Sequence, residues 1–203
     1  MPKGLLLGKN FSTLLYIMIR VRAYLLVSFL LLVQLSQAQT NNIYVINKGT
    51  VRFYSEAKQE LISASSEEIK GAIDLGKKSF LFKIGIASFI GFNNPLQREH
   101  FNENYMETDR FPEATYSGKI IEDVDVSKNG EYDVRSKGKL KIHGIERERI
   151  IKAHIICKNG TIKIECKFIV PLADHDIKIP RIVMDKLAPD INVTVVATLI
   201  PNS

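Results

Sequence analysis

The stretch KAHIICKNGTIKIECKFIV (residues 152–170) sets two β-rich runs on either side of Asn159-Gly160. That dipeptide accepts positive φ at both positions, so it predicts a two-residue type I′ turn between antiparallel strands. The turn fixes the register: Lys158 faces Thr161, Cys157 faces Ile162, Ile155 faces Ile164 and Ala153 faces Cys166. Side chains alternate across a strand, so Ala153, Ile155, Cys157, Ile162, Ile164, Cys166 and Phe168 share one face. Lys152, His154, Ile156, Lys158, Lys163, Glu165 and Lys167 take the other. An antiparallel sheet with one charged face is solvated on that side and covers an apolar interior with the other. Ile155, Ile164 and Phe168 are therefore expected to be largely buried. Whether protein or a ligand fills the interior is the functional question.

The same hairpin disposes of a disulfide between the only two cysteines. With Cys157 opposite Ile162, Cys166 lies four residues further on, about 14 Å away at ~3.4 Å per residue. A disulfide needs Cα atoms within roughly 7 Å. Both cysteines are expected to act as small hydrophobes on the inner face.

Strand-like runs recur at 43–46, 51–55, 62–65, 69–74, 79–84, 115–122, 131–143, 149–158, 161–170 and 192–200, with turn residues such as Asn47-Lys48-Gly49 and Lys128-Asn129-Gly130 between most of them. This many short strands in one domain predicts a closed antiparallel barrel or a sandwich. Asn94-Pro95 is a helix start, a cap followed by proline, and predicts a helix over 95–105 with Phe101 and Tyr105 one turn apart. Pro180 and Pro189 bracket a second helical turn holding Ile182, Val183, Met184 and Leu187. Pieces like these close the end of a barrel. A membrane-spanning barrel needs the reverse arrangement, with Lys137, Lys139, Lys141, Lys163, Glu165 and Lys167 turned toward lipid, and is set aside.

The N-terminus reads as an export signal. Arg20 and Arg22 precede an apolar run over 23–35, followed by Ser36-Gln37-Ala38. A basic start, a short apolar run and small residues at −3 and −1 predict cleavage after Ala38, with residues 1–38 as signal peptide and 39–203 as one domain. Initiation at Met18 would give a signal of ordinary length. The expected location is periplasmic or secreted. The segment holds four basic residues and no acid, so only +2 of the formal +6 belongs to the rest of the chain, and a nucleic-acid partner loses its support.

Residue clusters that carry chemistry are scarce. His100, His143, His154 and His175 show no metal-ligand spacing, there is no CxxC, and no nucleophile elbow or phosphate loop occurs. No metal and no cofactor are expected. Asp174-His175-Asp176 is the one local acid–base cluster, in a polar connection between Pro171 and Pro180. The phenylalanines are more informative. Phe53, Phe80, Phe82 and Phe168 alternate with outward residues, and an eight-stranded barrel is of the size that either fills with side chains or holds one ligand. On the residues alone, those two outcomes stand level.

Three motifs in order resemble the YceI-like family. They are His100 with Phe111-Pro112 and Tyr116 in 97–120, Gly138-Lys139-Leu140-Lys141-Ile142-His143-Gly144 in 132–148, and the segment 168–183. Asp174-His175-Asp176 departs from the family pattern, which there has an arginine and a glycine. The resemblance implies an all-β fold, an extended eight-stranded lipocalin-like antiparallel barrel with one or two short helices, enclosing a hydrophobic channel. It implies a non-enzymatic binding protein for a long-chain isoprenoid, quinone or fatty-acyl lipid. The expected channel wall is Phe53, Phe80, Phe82, Phe101, Tyr116, Ile155, Ile164 and Phe168, and the expected mouth is His100, His175 and Lys178. A homodimer remains open. The alternatives are an envelope structural or stress protein with a filled core and, third, a hydrolase using His175 with Asp174 and Asp176.

Overall fold

The computed structural model describes residues 18, 20–22, 42–126 and 128–202. The expected cleavage site and, apart from Met18, Arg20, Val21 and Arg22, the whole segment 1–38 lie outside the described residues. The chain from Asn41 onward is a compact unit of its own and is described by itself. Its described strands are β1 (Ile43–Glu56), β2 (Leu61–Ser66), β3 (Lys70–Asp74), β4 (Ser79–Gly85), β5 (Glu113–Ile120), β6 (Gly130–Ile142), β7 (Ile145–Lys158), β8 (Thr161–Pro171) and β9 (Asp190–Pro201).

The hairpin of β7 and β8 forms in the predicted register, with Ala153 opposite Cys166, Ile155 opposite Ile164, Cys157 opposite Ile162 and Lys158 opposite Thr161. Asn159 and Gly160 take φ of 51° and 72°, as a type I′ turn requires. Both cysteines are free. Ile155, Cys157 and Ile162 are buried, and Lys163, Glu165 and Lys167 are exposed. Ile164 and Phe168 depart from the expectation of near-complete burial. They point inward but stay only half-buried, because the accessible surface they keep borders an internal cavity. Ile162→Ala, at 1 % exposure, is expected to cost about 2–5 kcal/mol, whereas Ile164→Ala is expected to cost under about 2 kcal/mol because its neighbours already lack contacts on one side. Urea unfolding of the two variants compares them directly. An equal or larger cost at Ile164 would mean that the interior is packed.

Each strand from β3 to β8 pairs antiparallel with the next, and β1 closes the ring by pairing with both β9 and β3. Eight strands thus form the barrel. β2 is extra: it pairs with the C-terminal half of β1, on the edge that the shorter β3 leaves open. Three details correct the sequence reading. Asn47-Lys48-Gly49 is no turn. β1 runs straight through it with a β-bulge between Ile46 and Lys48, one extra residue that bends the strand without ending it. Of the gap expected over 144–148, residues 145–148 are strand, because His143 and Gly144, at φ 51° and 76°, make a second two-residue turn between β6 and β7. The helix over 95–105 is split, α-helical only as α1 (Pro95–His100) and a π-helical turn over Phe101–Tyr105, where Met106 N–H reaches Phe101 O. Asn94 caps it as predicted, its side chain accepting from Gln97 N–H at 2.9 Å.

Strand direction sorts the connections between two ends. The turn over 75–78, the loop over 121–129 and Asn159-Gly160 lie at one end. The β1–β2 tip, α1, the His143-Gly144 turn and the segment 172–189 gather at the other. Toward the first end Tyr44, Ile73, Phe80, Cys157, Ile162 and Leu199 form one buried cluster, with Leu75, Val124 and Val126 packed against them. The outer wall carries exposed Lys137, Lys139, Lys141, Lys163 and Lys167, the inner wall apolar side chains.

Candidate functional site

The barrel encloses a cavity of ≈ 440 Å³. All eight residues of the expected wall, Phe53, Phe80, Phe82, Phe101, Tyr116, Ile155, Ile164 and Phe168, line it. Two aromatic groups shape it. Phe53, Phe89, Phe92 and Phe101 cluster beneath α1, with Phe53 and Phe101 stacked at 5.4 Å and Phe92 5.1 Å from Phe101. Deeper, Phe80 stacks on Phe82 at 5.5 Å and meets the Tyr116 ring at 4.9 Å. Aromatic rings at these separations give a rigid apolar wall.

The few polar groups on the wall are already occupied. Tyr116 donates to Ser136 O at 3.0 Å, and the Ser136 hydroxyl donates to Ile151 O at 3.1 Å. The Ser55 hydroxyl accepts from Ala188 N–H at 2.9 Å. Burial pushes the Tyr116 phenol up and the Cys166 thiol up to about 11, so both are neutral near pH 7. A guest therefore meets mostly hydrocarbon and satisfied hydrogen bonds; the charged residues on the lining, Glu60, Lys83 and Lys186, all keep outward surface, and Lys83 is paired with Glu113.

Polar side chains that reach the cavity and keep outward surface gather at the helical end: Glu60 on the β1–β2 tip, Gln97 and His100 on α1, and Lys186. Gln97 donates to Glu60, tying the tip to the helix. His100 is on the lining as expected, its Nδ1 2.8 Å from the Asn104 amide nitrogen. The other two expected mouth residues lie elsewhere. Lys178 is exposed beside Asp176 at 4.0 Å and does not line the cavity. His175 is fully buried, in a clamp under the β6–β7 turn. Its Nδ1 faces Ile145 O at 3.1 Å, and His143 Nδ1 faces His175 O at 3.0 Å. Arg147 Nε donates to Asp174 O at 2.7 Å, and Arg149 lies 3.5 Å from the Asp174 carboxylate. Asp174 and His175 thus brace one strand turn while Asp176 stands exposed beside Lys178, and the three do not converge on a cleft, because the polar connection folds back onto β7.

The His175 geometry carries a pH prediction. A ring nitrogen facing a carbonyl must donate, so neutral His175 holds its proton on Nδ1 and leaves a bare Nε2 with no hydrogen-bond partner. Protonation would place an N–H there in a buried site, and burial accordingly lowers its pKa from the ordinary histidine value. The unfolded chain then takes up the proton first as pH falls, so the contribution is fully present above about pH 6.5 and is lost as pH drops through the lower folded value. His154, held up by Asp133, works in the opposite sense, losing stability as pH rises. In His175→Asn the amide still reaches Ile145 O, and the acid-side loss in urea midpoint is expected to shrink. An unchanged profile would rule His175 out as its source.

The expected wall left out Phe89 and Phe92, which belong to the chain's aromatic bulk but sit in a connection without periodicity, and Glu60, Gln97 and Lys186, which nothing local marks. Val193 and Val195 were within reach: over 191–199 Ile, Val, Val, Ala and Leu alternate with Asn192, Thr194, Val196 and Thr198, a pattern only Val196 blurs, and all five line the cavity or are buried. The Gly138 motif has a packing origin. A Cβ there would stand 2.4 Å from Ser117 O and 3.1 Å from the Tyr116 ring. Phe111 packs on the His143 ring at 4.6 Å, above Gly144. Motif residues therefore divide between the wall and the clamp that holds its rim.

Solved structures share this architecture. A polyisoprenoid-binding domain from Saccharophagus degradans implicated in plant cell wall breakdown superposes with a TM-score of 0.67 at 14% identity, over 78% of this chain and 98% of that one. Burkholderia cenocepacia BcnA gives 0.60 at 13% identity, over 74% and 95%. A Campylobacter jejuni YceI protein gives 0.51 at 18% identity, over 64% and 80%. No curated protein matches the chain. The YceI-like domain model matches residues 44–199, from the first barrel strand to the last. This chain belongs to the YceI-like family.

Proposed function

We propose that this chain is an exported binding protein that holds one long-chain isoprenoid, isoprenoid quinone or acyl lipid inside its barrel. The observation that carries the reading is the cavity: ≈ 440 Å³, lined by rigid aromatic and aliphatic side chains whose polar neighbours are hydrogen-bonded among themselves. A filled-core structural protein of this fold would have no such space. The ligand class is supported by the description of the Saccharophagus degradans relative as a polyisoprenoid-binding domain. Export is supported by the order of basic, apolar and small residues over 20–38.

Size narrows the guest. A cavity of ~150 Å³ accommodates one benzene ring, so three times that volume takes on the order of fifteen to twenty carbon atoms. Burying ~400 Å² of such a chain contributes about 10 kcal/mol at ~25 cal/mol per Å² before ordering costs. A longer polyprenyl tail would have to leave through the helical end. The folded protein from its own host, extracted with organic solvent and analysed by mass spectrometry, is expected to release one amphiphile at near-stoichiometric yield. Empty extracts, with no rise in thermal stability on adding C15–C20 isoprenoids or acyl lipids, would overturn the reading. N-terminal sequencing that finds Gln39 first would support export and processing.

A further inference from the structure

The segment between Pro180 and Pro189 is apolar on both sides. Val183 and Leu187 line the cavity from above. Their neighbours Ile182 and Met184 face solvent at 90% and 62% exposure. The backbone of this strip is anchored to the β1–β2 tip on its C-terminal side, where Asp185 O accepts from Gln59 N–H at 2.9 Å and Ala188 N–H donates to Ser55, and it is closed locally by Val183 N–H donating to Pro180 O. The exposure is therefore built in and is not a frayed loop. Three more exposed large side chains stand at the same end, Leu61 at the start of β2, Ile90, and Leu96 on α1. They are tied together, since Asn93 donates to Leu61 O at 3.0 Å and Ile90 bridges to Ser65 of β2. Arg181 and Lys186 flank the strip, both exposed, and Arg98 is exposed on α1 at the same end of the barrel.

Single exposed apolar residues need no explanation, but a group of five around one opening does. We propose that this end of the barrel docks on a lipid bilayer, with Ile182 and Met184 entering the boundary between headgroups and hydrocarbon while Arg181 and Lys186 meet lipid phosphates. The inference rests on the lipid-binding reading and names the surface from which the cavity is filled. The occupant is fixed by continuity, because the strip that contacts the bilayer with Ile182 and Met184 contacts the guest with Val183 and Leu187. A chain that leaves a bilayer directly under this strip enters the cavity without exposing its length to water, which removes the transfer cost that makes uptake from solution slow. Long basic side chains beside apolar ones suit that boundary, their stems lying along hydrocarbon and their charges at the phosphates.

The chain contains no tryptophan, so a single introduced one reports on its own position. Ile182→Trp in the full chain is mixed with vesicles of phosphatidylethanolamine and phosphatidylglycerol (about 3:1), with and without brominated acyl chains. Leu81→Trp, exposed near the opposite end of the barrel, is the comparison. Trp at 182 is expected to shift to the blue and be quenched by brominated lipid, while Trp at 81 is unchanged. The export segment is common to both variants, so attachment through it cannot produce the difference. Uptake of a fluorescent C18 acyl lipid from the same vesicles is expected to slow about tenfold in the double variant Ile182→Glu, Met184→Glu, with the final amount bound unchanged. No quenching at 182, or equal quenching at both sites, overturns the docking. A dimer that the double variant dissociates, with no response to vesicles, would assign the surface to a second copy of the chain and also overturn it. Lipid found in extracts without quenching at 182 leaves the carrier reading standing and removes only this one; quenching at 182 with empty extracts does the reverse.

Discussion

Phe168→Glu is expected to empty the barrel without unfolding it. Phe168 lines the cavity from β8 and is only half-buried, so a shorter polar side chain there creates no clash and has room for water beside it. The carboxylate faces Val193 across the strand pair, with Tyr116 and Leu140 in the same apolar group. None offers an opposite charge. An uncompensated carboxylate in such a place is costly when dry and becomes tolerable when hydrated, which a hydrocarbon guest prevents. Recovered lipid is expected to fall at least tenfold, the equivalent of about 1.4 kcal/mol, near pH 7. Circular dichroism should stay that of an antiparallel barrel. Lowering the pH toward 5 should restore part of the binding as the glutamate, its pKa raised by the apolar wall, takes up a proton. Retention of the full lipid yield at pH 7 would mean that the guest does not occupy the space beside Phe168.

Gly118→Val is expected to prevent the barrel from closing, and even Gly118→Ala should be severe. Gly118 of β5 stands opposite Gly138 of β6. A Cβ on Gly118 would lie 2.2 Å from Lys137 O and 2.5 Å from the Gly138 Cα. Both are backbone atoms that cannot rotate away, and moving them would pull β6 off β5 and displace the Tyr116 ring seated over Gly138. A cost of about 4 kcal/mol or more for the valine is expected, which is a large part of the stability of a single domain. Gly85→Ala is the comparison, since nothing lies within 4 Å of its added Cβ and the expected change is within about 0.5 kcal/mol. Thermal unfolding and soluble yield of the two variants decide it. Equal stability would show that the close approach of β5 and β6 does not exist.

The parity of the strands was legible because it is local. A strand's side chains alternate whatever it packs against, and a two-residue turn sets the register of both its arms, so the inner face of β7 and β8 and the pairing of all the residues in it follow from 152–170 alone. The same logic placed Phe53, Phe80 and Phe82 inside. The ordered motifs pointed to the family and through it to a closed barrel, which the strand count left level with a sandwich. Tertiary structure decided the rest, for physical reasons that can be named. A turn signal such as Asn47-Lys48-Gly49 becomes a bulge when β9 offers a continuous partner, and a histidine can enter positive φ at His143 when Gly144 follows and Phe111 covers it. Whether a face of isoleucines and phenylalanines is filled or hollow depends on how far apart eight walls stand, a distance no single strand encodes. His175 looked like a mouth residue because polar connections are usually wet, and it is buried because Ile145 O, Asp174 and His143 close over it. The polar lining at the helical end, Glu60, Gln97, His100 and Lys186, is assembled from three segments that share nothing in sequence and meet only because strand direction carries them all to one end of the barrel.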